Sequence, residues 1–304
     1  MSALPSYVGP LERAWYYGFR ILCGLIFIFL IAPILIIVPL SFNAQPYFTF
    51  TPEMLALNPE AFSMRWYLDV LANGMADPNA PFSAAWLADS WNNGQWIHSM
   101  KNSFLIAVSA TVIATTLGTL AALGLSRPEM PYGDWIMGLL ISPMIVPLII
   151  SAAGMYFFYS YIGLASTYLG IILGHAALGT PFVIITVTAT LAGFDHSLTR
   201  AAANLGAKPS TTFFRIIMPL TLPGVISGAL FAFITSFDEV VLVIFLSSFE
   251  QRTIPRQMWS GIREQISPTI LAVATILVIM SILLLTAVEL LRRRSERLRG
   301  ISPS

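Results

Sequence analysis

Six stretches of the chain are apolar over about 20 residues, the length that crosses a bilayer, where hydrocarbon leaves the backbone no hydrogen-bond partner but itself. They run approximately over 21–40, 104–125, 135–159, 168–191, 222–245 and 268–291, and predict an all-α integral membrane protein with six transmembrane helices. The first is longer than the apolar core of a signal peptide and no small-residue cleavage site follows it, so it reads as an uncleaved span. Two connections are long: residues 41–103, polar and aromatic, with Trp66, Trp86, Trp91 and Trp96, and residues 192–219. The tryptophans suit either an aromatic belt on the membrane interface or a docking surface for an outer partner. Gly170 with Gly174, and Gly224 with Gly228, form small-xxx-small pairs that predict close helix approach. Pro33, Pro39, Pro143, Pro147 and Pro181 predict kinks.

Composition agrees with the pattern. Of 304 residues 56% are hydrophobic and 10% charged, where a soluble domain carries about 25% charged residues. The net charge of +1 argues against nucleic acid as a partner. With the N-terminus in the cytoplasm, Arg13, Arg20, Arg127, Arg200, Lys208, Arg215, Arg292, Arg293, Arg294, Arg297 and Arg299 fall inside. Arg65, Lys101, Arg252, Arg256 and Arg263 fall outside, so the positive-inside rule predicts both termini in the cytoplasm. The single cysteine, Cys23, excludes an internal disulfide and reads as a small buried hydrophobe.

Several chemistries lack their residues. The two lysines, Lys101 and Lys208, do not follow glycine, so there is no GxxxxGK[ST] phosphate loop. His98, His175 and His196 are scattered, with no ligand-spaced partner for a metal. No GxSxG elbow is present, and nothing pairs a nucleophile with a base, so the chain is not read as an enzyme.

The inner connection carries the strongest pattern. Over 197–206, Leu198, Ala201, Ala202 and Leu205 fall at i, i+3, i+4 and i+7, an apolar stripe on a short helix. Gly206 suits the left-handed residue that closes such a helix, and Pro209 stops its continuation. A stripe projecting from the membrane calls for a partner. The run Arg200-Ala-Ala-Ala-Asn-Leu-Gly-Ala207, followed by Ile216-Ile-Met-Pro219, resembles the EAA loop of ABC importer permeases of the binding-protein-dependent, MetI-like family. The spacing from Gly206 to Ile216 matches that pattern, with Met218 in place of its leucine. The resemblance implies the MetI-like type I importer fold and a coupling helix, Arg200, Ala201, Ala202, Leu205, Gly206 and Ala207, that docks on a cytoplasmic ATPase. Arg200 stands where the family has glutamate. A cation early in a helix forgoes about 0.3–1 kcal/mol that an acid gains from the dipole, and an S-x-x-E capping box is lost, leaving Asp195 or Ser197 to cap. Arg200 either faces an acid on the ATPase or is solvated.

Further motifs narrow the resemblance. Phe62-Ser-Met-Arg-Trp-Tyr67, Asn102-Ser-Phe104, Leu117-Gly-Thr-Leu-Ala-Ala-Leu123, Ser236-Phe-Asp-Glu-Val-Val241, Trp259-Ser-Gly-Ile-Arg263 and Ser267-Pro268 look like the PotC/PotI-type polyamine permeases. The stretch 72–95 is longer than in that group and inherits no role. Taken as one helix, the fifth span places Thr235, Asp238, Glu239 and Leu242 on one face. Two carboxylates facing lipid cost about 2.5–3.5 kcal/mol each at the bilayer centre, so they are expected to face the bundle. Thr235, Asp238, Glu239 and Trp259 are therefore candidates for a cation-attracting substrate path, with local capping by the two acids as the alternative. The charged loop of Glu250, Arg252, Arg256, Arg263 and Glu264 reads as a solvated surface or, by resemblance, as lying near the mouth where a binding protein docks.

The resemblance implies one permease domain over 1–304 in the bacterial inner membrane. Its expected partners are a second, PotB-like permease subunit, two ATPase subunits that bind ATP and Mg, and a periplasmic solute-binding protein. No cofactor is expected on this chain. Polyamines are the expected substrate, with opines, amino-acid derivatives or other small solutes open, and a stand-alone secondary transporter as the rival.

Overall fold

The computed structural model describes residues 9–127, 129–195, 197–264 and 267–298. His196 and Arg299 lie outside the described residues, as do the side chains of Glu264, Arg292, Arg293, Arg294 and Arg297. The regular structure of the described residues is helical, apart from one isolated antiparallel bridge between Asn43 and Phe62. They group into two compact units, one up to Asn73 and from Glu264 onward, the other Gly74–Arg263.

The first unit holds α1 (Pro10–Leu40), α2 (Arg65–Ala72) and α12 (Thr269–Leu298). Helix α1 is apolar all round, and its most hydrophobic stretch is exposed, as a helix in contact with lipid should be. Cys23 is exposed on it, which corrects the expectation of burial: with no neighbour covering that stretch, an apolar residue has only the bilayer to face. Beyond α1 the chain folds on Asn43. Its side chain donates to the carbonyls of Tyr47 and Thr49 at 3.2 and 3.1 Å, and its own carbonyl takes the indole N–H of the buried Trp66 at 2.7 Å. The Phe62–Tyr67 motif closes this knot, through Ser63 N–H to the Phe42 carbonyl and the Tyr67 hydroxyl at 2.7 Å from Ser41 Oγ. Thr269, at the start of α12, donates to Asp69 on α2.

The second unit is built on α4 (Gln95–Leu125), α7 (Tyr168–Ala192) and α9 (Pro209–Phe237), preceded by α3 (Ala84–Asn93). Between α4 and α7 the predicted third span is two helices, α5 (Gly133–Ile145) and α6 (Leu148–Ile162), bent by 99°. Val146 is extended, at φ −68° and ψ 132°, because a following proline disfavours the helical region, and Pro147 has no N–H to continue the ladder. Of the six predicted spans, α1, α4, α7 and α9 are each long and apolar enough to cross alone, and the bent pair makes a fifth. Helix α12 contributes the apolar stretch Thr269–Leu283.

Small residues set the helix spacing. A methyl group on Gly228 would come within 2.8 Å of Val183 Cα, and one on Gly224 would meet the Thr186 carbonyl at 2.9 Å, so both glycines bring α9 against the backbone of α7. Ala114, Ala122, Val183, Val187, Leu191, Val225 and Ala232 fill the resulting core. A second cluster, nearer the other end, joins Ile106, Ile171 and Leu178 to Leu242, Val243 and Leu246 of α10 (Val241–Leu246). At its entry α9 carries a π-helical turn, Phe213–Ile217.

Candidate functional site

Two sets of candidate residues lie at opposite ends of the second unit. At the end where α4 and α7 terminate, Ser197–Asn204 forms the short helix α8. Asp195 opens it, accepting the Ser197 N–H at 2.8 Å and the Ser197 hydroxyl at 2.7 Å. Gly206 closes it with φ +77°. The Ala207 N–H reaches the Ala202 carbonyl at 3.0 Å and the Gly206 N–H reaches Ala203 at 2.9 Å, the paired bonds of a Schellman motif. Space does not require glycine here, since nothing lies within 4 Å of an added Cβ; the backbone angle does. Ala202 is buried, whereas Arg200 and Ala201 are exposed, Leu198 is 42% exposed and Leu205 88%. The helix is thus fixed at its start by the Asp195 side chain and at its end by its own backbone, and presents bare apolar side chains.

At the other end, α9 stops at Phe237 and α10 begins at Val241, so the predicted fifth span is broken at its two carboxylates. The Asp238 N–H still bonds the Ile234 carbonyl at 3.0 Å, and the Asp238 side chain is exposed. Glu239 is buried, and its carboxylate accepts the Leu242 N–H at 2.8 Å, serving as the cap that starts α10. The single helical face of Thr235, Asp238, Glu239 and Leu242 is therefore corrected. Thr235 lies in α9, Asp238 ends it, and Glu239 turns inward to its neighbour's backbone. Trp259 is exposed on a separate helix, α11 (Ile254–Glu264). Phe104, Phe233 and Phe237 gather beside the break, with ring centroids 5.3–6.5 Å apart.

Around the break polar groups are buried and paired. His175 on α7 is 1% exposed and its Nδ1 lies 2.7 Å from Ser236 Oγ on α9, while its Nε2 has no partner among the described residues. Asn102 on α4 donates to the carbonyls of Glu250 and Arg252 at 2.7 and 3.0 Å. The Tyr168 hydroxyl lies 3.0 Å from both Asn102 Oδ1 and the Glu250 carbonyl, and His98 Nε2 donates to that carbonyl at 2.7 Å. Arg256 reaches the Val243 and Ser247 carbonyls at 3.1 and 2.9 Å, placing a cation at the C-terminus of α10. Burial, with a smaller contribution from Arg252, lowers the pKa of that guanidinium. The loop expected as a solvated surface is in this part a lock.

The sequence does not show this lock, because its longest-range bonds join residues about 150 positions apart. The signal available was an ionisable or amide side chain within or beside an apolar span, His175 and Asn102, which in a membrane needs a partner. Among the described residues no three His, Cys, Asp or Glu side chains converge as a metal site would require.

Known proteins resemble this chain. The family model described as binding-protein-dependent transport system inner membrane component matches residues 114–299. The chain is 29% identical over 271 residues to the spermidine/putrescine transport system permease protein PotC of Haemophilus influenzae, covering 89% of this chain and 95% of that one. It is 30% identical over 258 residues to the putrescine transport system permease protein PotI of Escherichia coli K12, covering 83% and 82%. A solved chain from a bacterial ABC transporter involved in import of the acidic polysaccharide alginate superposes with a TM-score of 0.69 over 94% of this chain and 99% of its own, at 16% identity.

Proposed function

This chain belongs to the family of binding-protein-dependent transport system inner membrane components, an ABC transporter permease of MetI-like fold, and from that premise we propose that it is the pore half of an ATP-driven polyamine importer. The observation that carries the reading is α8: a helix capped at both ends with exposed Leu198 and Leu205, inside the region matched by the family, at the end of the bundle away from the break in the fifth span. It supports docking on a cytoplasmic ATPase, with Arg200 facing an acid there. ATP binding closes the ATPase pair, α8 follows, and α9 carries the movement along the bundle toward Asp238. Hydrolysis by the ATPase resets the cycle, and a second permease completes the pore.

The substrate assignment rests on the permeases most like this chain and on chemistry at the break. An exposed Asp238 beside the rings of Phe104, Phe233 and Phe237 offers a carboxylate and aromatic faces to an alkylammonium, both of which offset its desolvation. Glu239, engaged with the Leu242 N–H, serves the shape of the break.

The test is uptake of labelled putrescine and spermidine into proteoliposomes holding this chain with its partner permease, ATPase and binding protein. ATP-dependent, saturable uptake is expected. Gly206→Val, which forces a β-branched residue to φ +77°, should cut uptake at least about tenfold and leave the permease inserted. Asp238→Asn should lower polyamine uptake with ATPase coupling intact. Uptake without the ATPase, or normal uptake in Gly206→Val, overturns the coupled-importer reading. Transport of a neutral or anionic solute in place of polyamines overturns the substrate.

A further inference from the structure

We propose that α3, residues Ala84–Asn93, is a membrane-interface anchor that lies on the bilayer surface at the end of α4 remote from α8. This helix falls in the 72–95 stretch to which the resemblance assigns nothing. Ala84, Leu87, Ala88 and Trp91 occupy i, i+3, i+4 and i+7, and all four are exposed, Leu87 by 48% and Trp91 by 60%. The opposite side is occupied: Trp86 and Ser90 are buried. Phe82, just before the helix, is 72% exposed.

The helix is held firmly. Ser83 Oγ accepts the Trp86 N–H at 3.2 Å as an N-cap. Asp89 accepts the N–H groups of Ala76 and Asp77 at 3.1 and 3.4 Å and the Asn93 amide at 2.5 Å, tying the preceding loop across the polar face. Gly74, at φ +93°, returns so close to the chain that an added Cβ would meet the Asn93 carbonyl at 2.9 Å. A solvated loop needs none of this fastening.

Lys101 sets the level at which the exposed face sits. Its Nζ donates to the Trp91 carbonyl at 2.6 Å and lies 4.7 Å from the centre of the Trp91 ring. Lys101 heads a face of α4 that continues through Leu105, Val108 and Val112, exposed by 52%, 50% and 60%. That face is apolar and uncovered along a spanning helix, the character of a surface turned to lipid. A lysine at the head of such a face extends its ammonium to the headgroup layer. Trp91 rests on that ammonium, which places the α3 stripe in the same layer and continuous with the lipid-facing surface of α4. Tryptophan favours this layer, and amphipathic helices settle there with their apolar face sunk about 5–10 Å. Continuity with lipid-facing α4 favours the bilayer over a soluble protein as the occupant.

The test uses the full-length chain with Cys23→Ser and single cysteines at Ala84, Leu87, Ala88 or Trp91, against Ala85 and Asn92, which are exposed but off the stripe. Each is labelled with an environment-sensitive fluorophore and reconstituted in phosphatidylcholine–phosphatidylglycerol liposomes, with or without doxyl-labelled lipid. The four stripe positions should emit to the blue of the other two and be quenched at least about twofold more by a shallow doxyl group. Equal quenching at all six overturns the proposal. So does a stripe that lipid leaves unquenched and that only the added solute-binding protein shields. Ala84 and Ala88 are small and exposed, so they decide the matter even where a substitution at Leu87 or Trp91 impairs folding.

Discussion

The two ends of the α4–α7–α9 bundle treat polar and apolar groups in opposite ways. At the α8 end the helix is capped locally, by Asp195 and by its own backbone, and apolar side chains stand in the open, Leu205 at 88% exposure. At the other end the chain breaks: Glu239 is buried against the N–H of Leu242, and Asn102, Ser103, His175 and Ser236 are buried in hydrogen bonds between elements distant in sequence. The difference separates two design problems. A surface that receives a partner needs a rigid frame and unspent apolar area, whereas a helix broken inside a membrane must satisfy every exposed backbone group from within.

Mutations can break that contrast. The largest effect is expected from Asn102→Leu, which leaves the Arg252 carbonyl without its amide donor and the Tyr168 hydroxyl without Asn102 Oδ1, while the Glu250 carbonyl keeps Tyr168 and His98. With one carbonyl left unmet at about 1–3 kcal/mol and the Tyr168 bond lost as well, thermal unfolding in detergent should show a loss of about 2–4 kcal/mol. Ser236→Ala removes the one bonding partner that the buried His175 ring has among the described residues and should cost about 1–3 kcal/mol in the same measurement. Leu205→Ser sharpens the comparison from the other side. Stability should change by less than about 0.5 kcal/mol, as for other exposed sites, while ATP-driven uptake falls. An equal stability loss in Leu205→Ser and Asn102→Leu would dissolve the distinction between the ends.

The smallest effect is a pH dependence at Asp89. Its pKa is lowered, chiefly by the Asn93 side-chain bond and further by the Asp77 and Ala76 N–H groups, against a desolvation that raises it. A depressed carboxylate pKa contributes stability above the unfolded value, and that contribution is lost as pH falls through the folded one. Amide protection at Ala76 and Asp77, read by hydrogen exchange corrected for its intrinsic pH dependence, should hold down to the ordinary aspartate range and disappear only below it. Asp89→Asn should abolish this acid transition.

Much of this was legible in the sequence because it is local. The apolar runs predict the spans, Gly206 predicts the left-handed close of α8, and Gly224 with Gly228 predicts the close contact with α7. Of the two breaks, Pro147 marks one as a kink without giving its size, and the other is not legible, since hydropathy does not register direction. The run 135–159 stays apolar through Val146-Pro147, where the backbone turns by 99°. The run 222–245 keeps a helical period through Asp238 and Glu239, where a buried side chain takes over a backbone role. His175 was weighed only as a metal ligand and not as the partner of a serine 61 residues away. Periodicity gives a face, but which neighbour fills it is a tertiary fact.

The π-helical turn at Phe213–Ile217 sets a phase. A π turn closes its hydrogen bonds one residue later than an α turn, so it behaves as a single residue inserted into an otherwise continuous helix. Deleting one residue there and restoring α geometry would turn everything before it by about 100° and shift it about 1.5 Å relative to the rest of α9. The stripe of α8 would then face a different quarter while every span kept its place. Timing between the two ends is thus written as an angle, and one inserted residue is enough to set it.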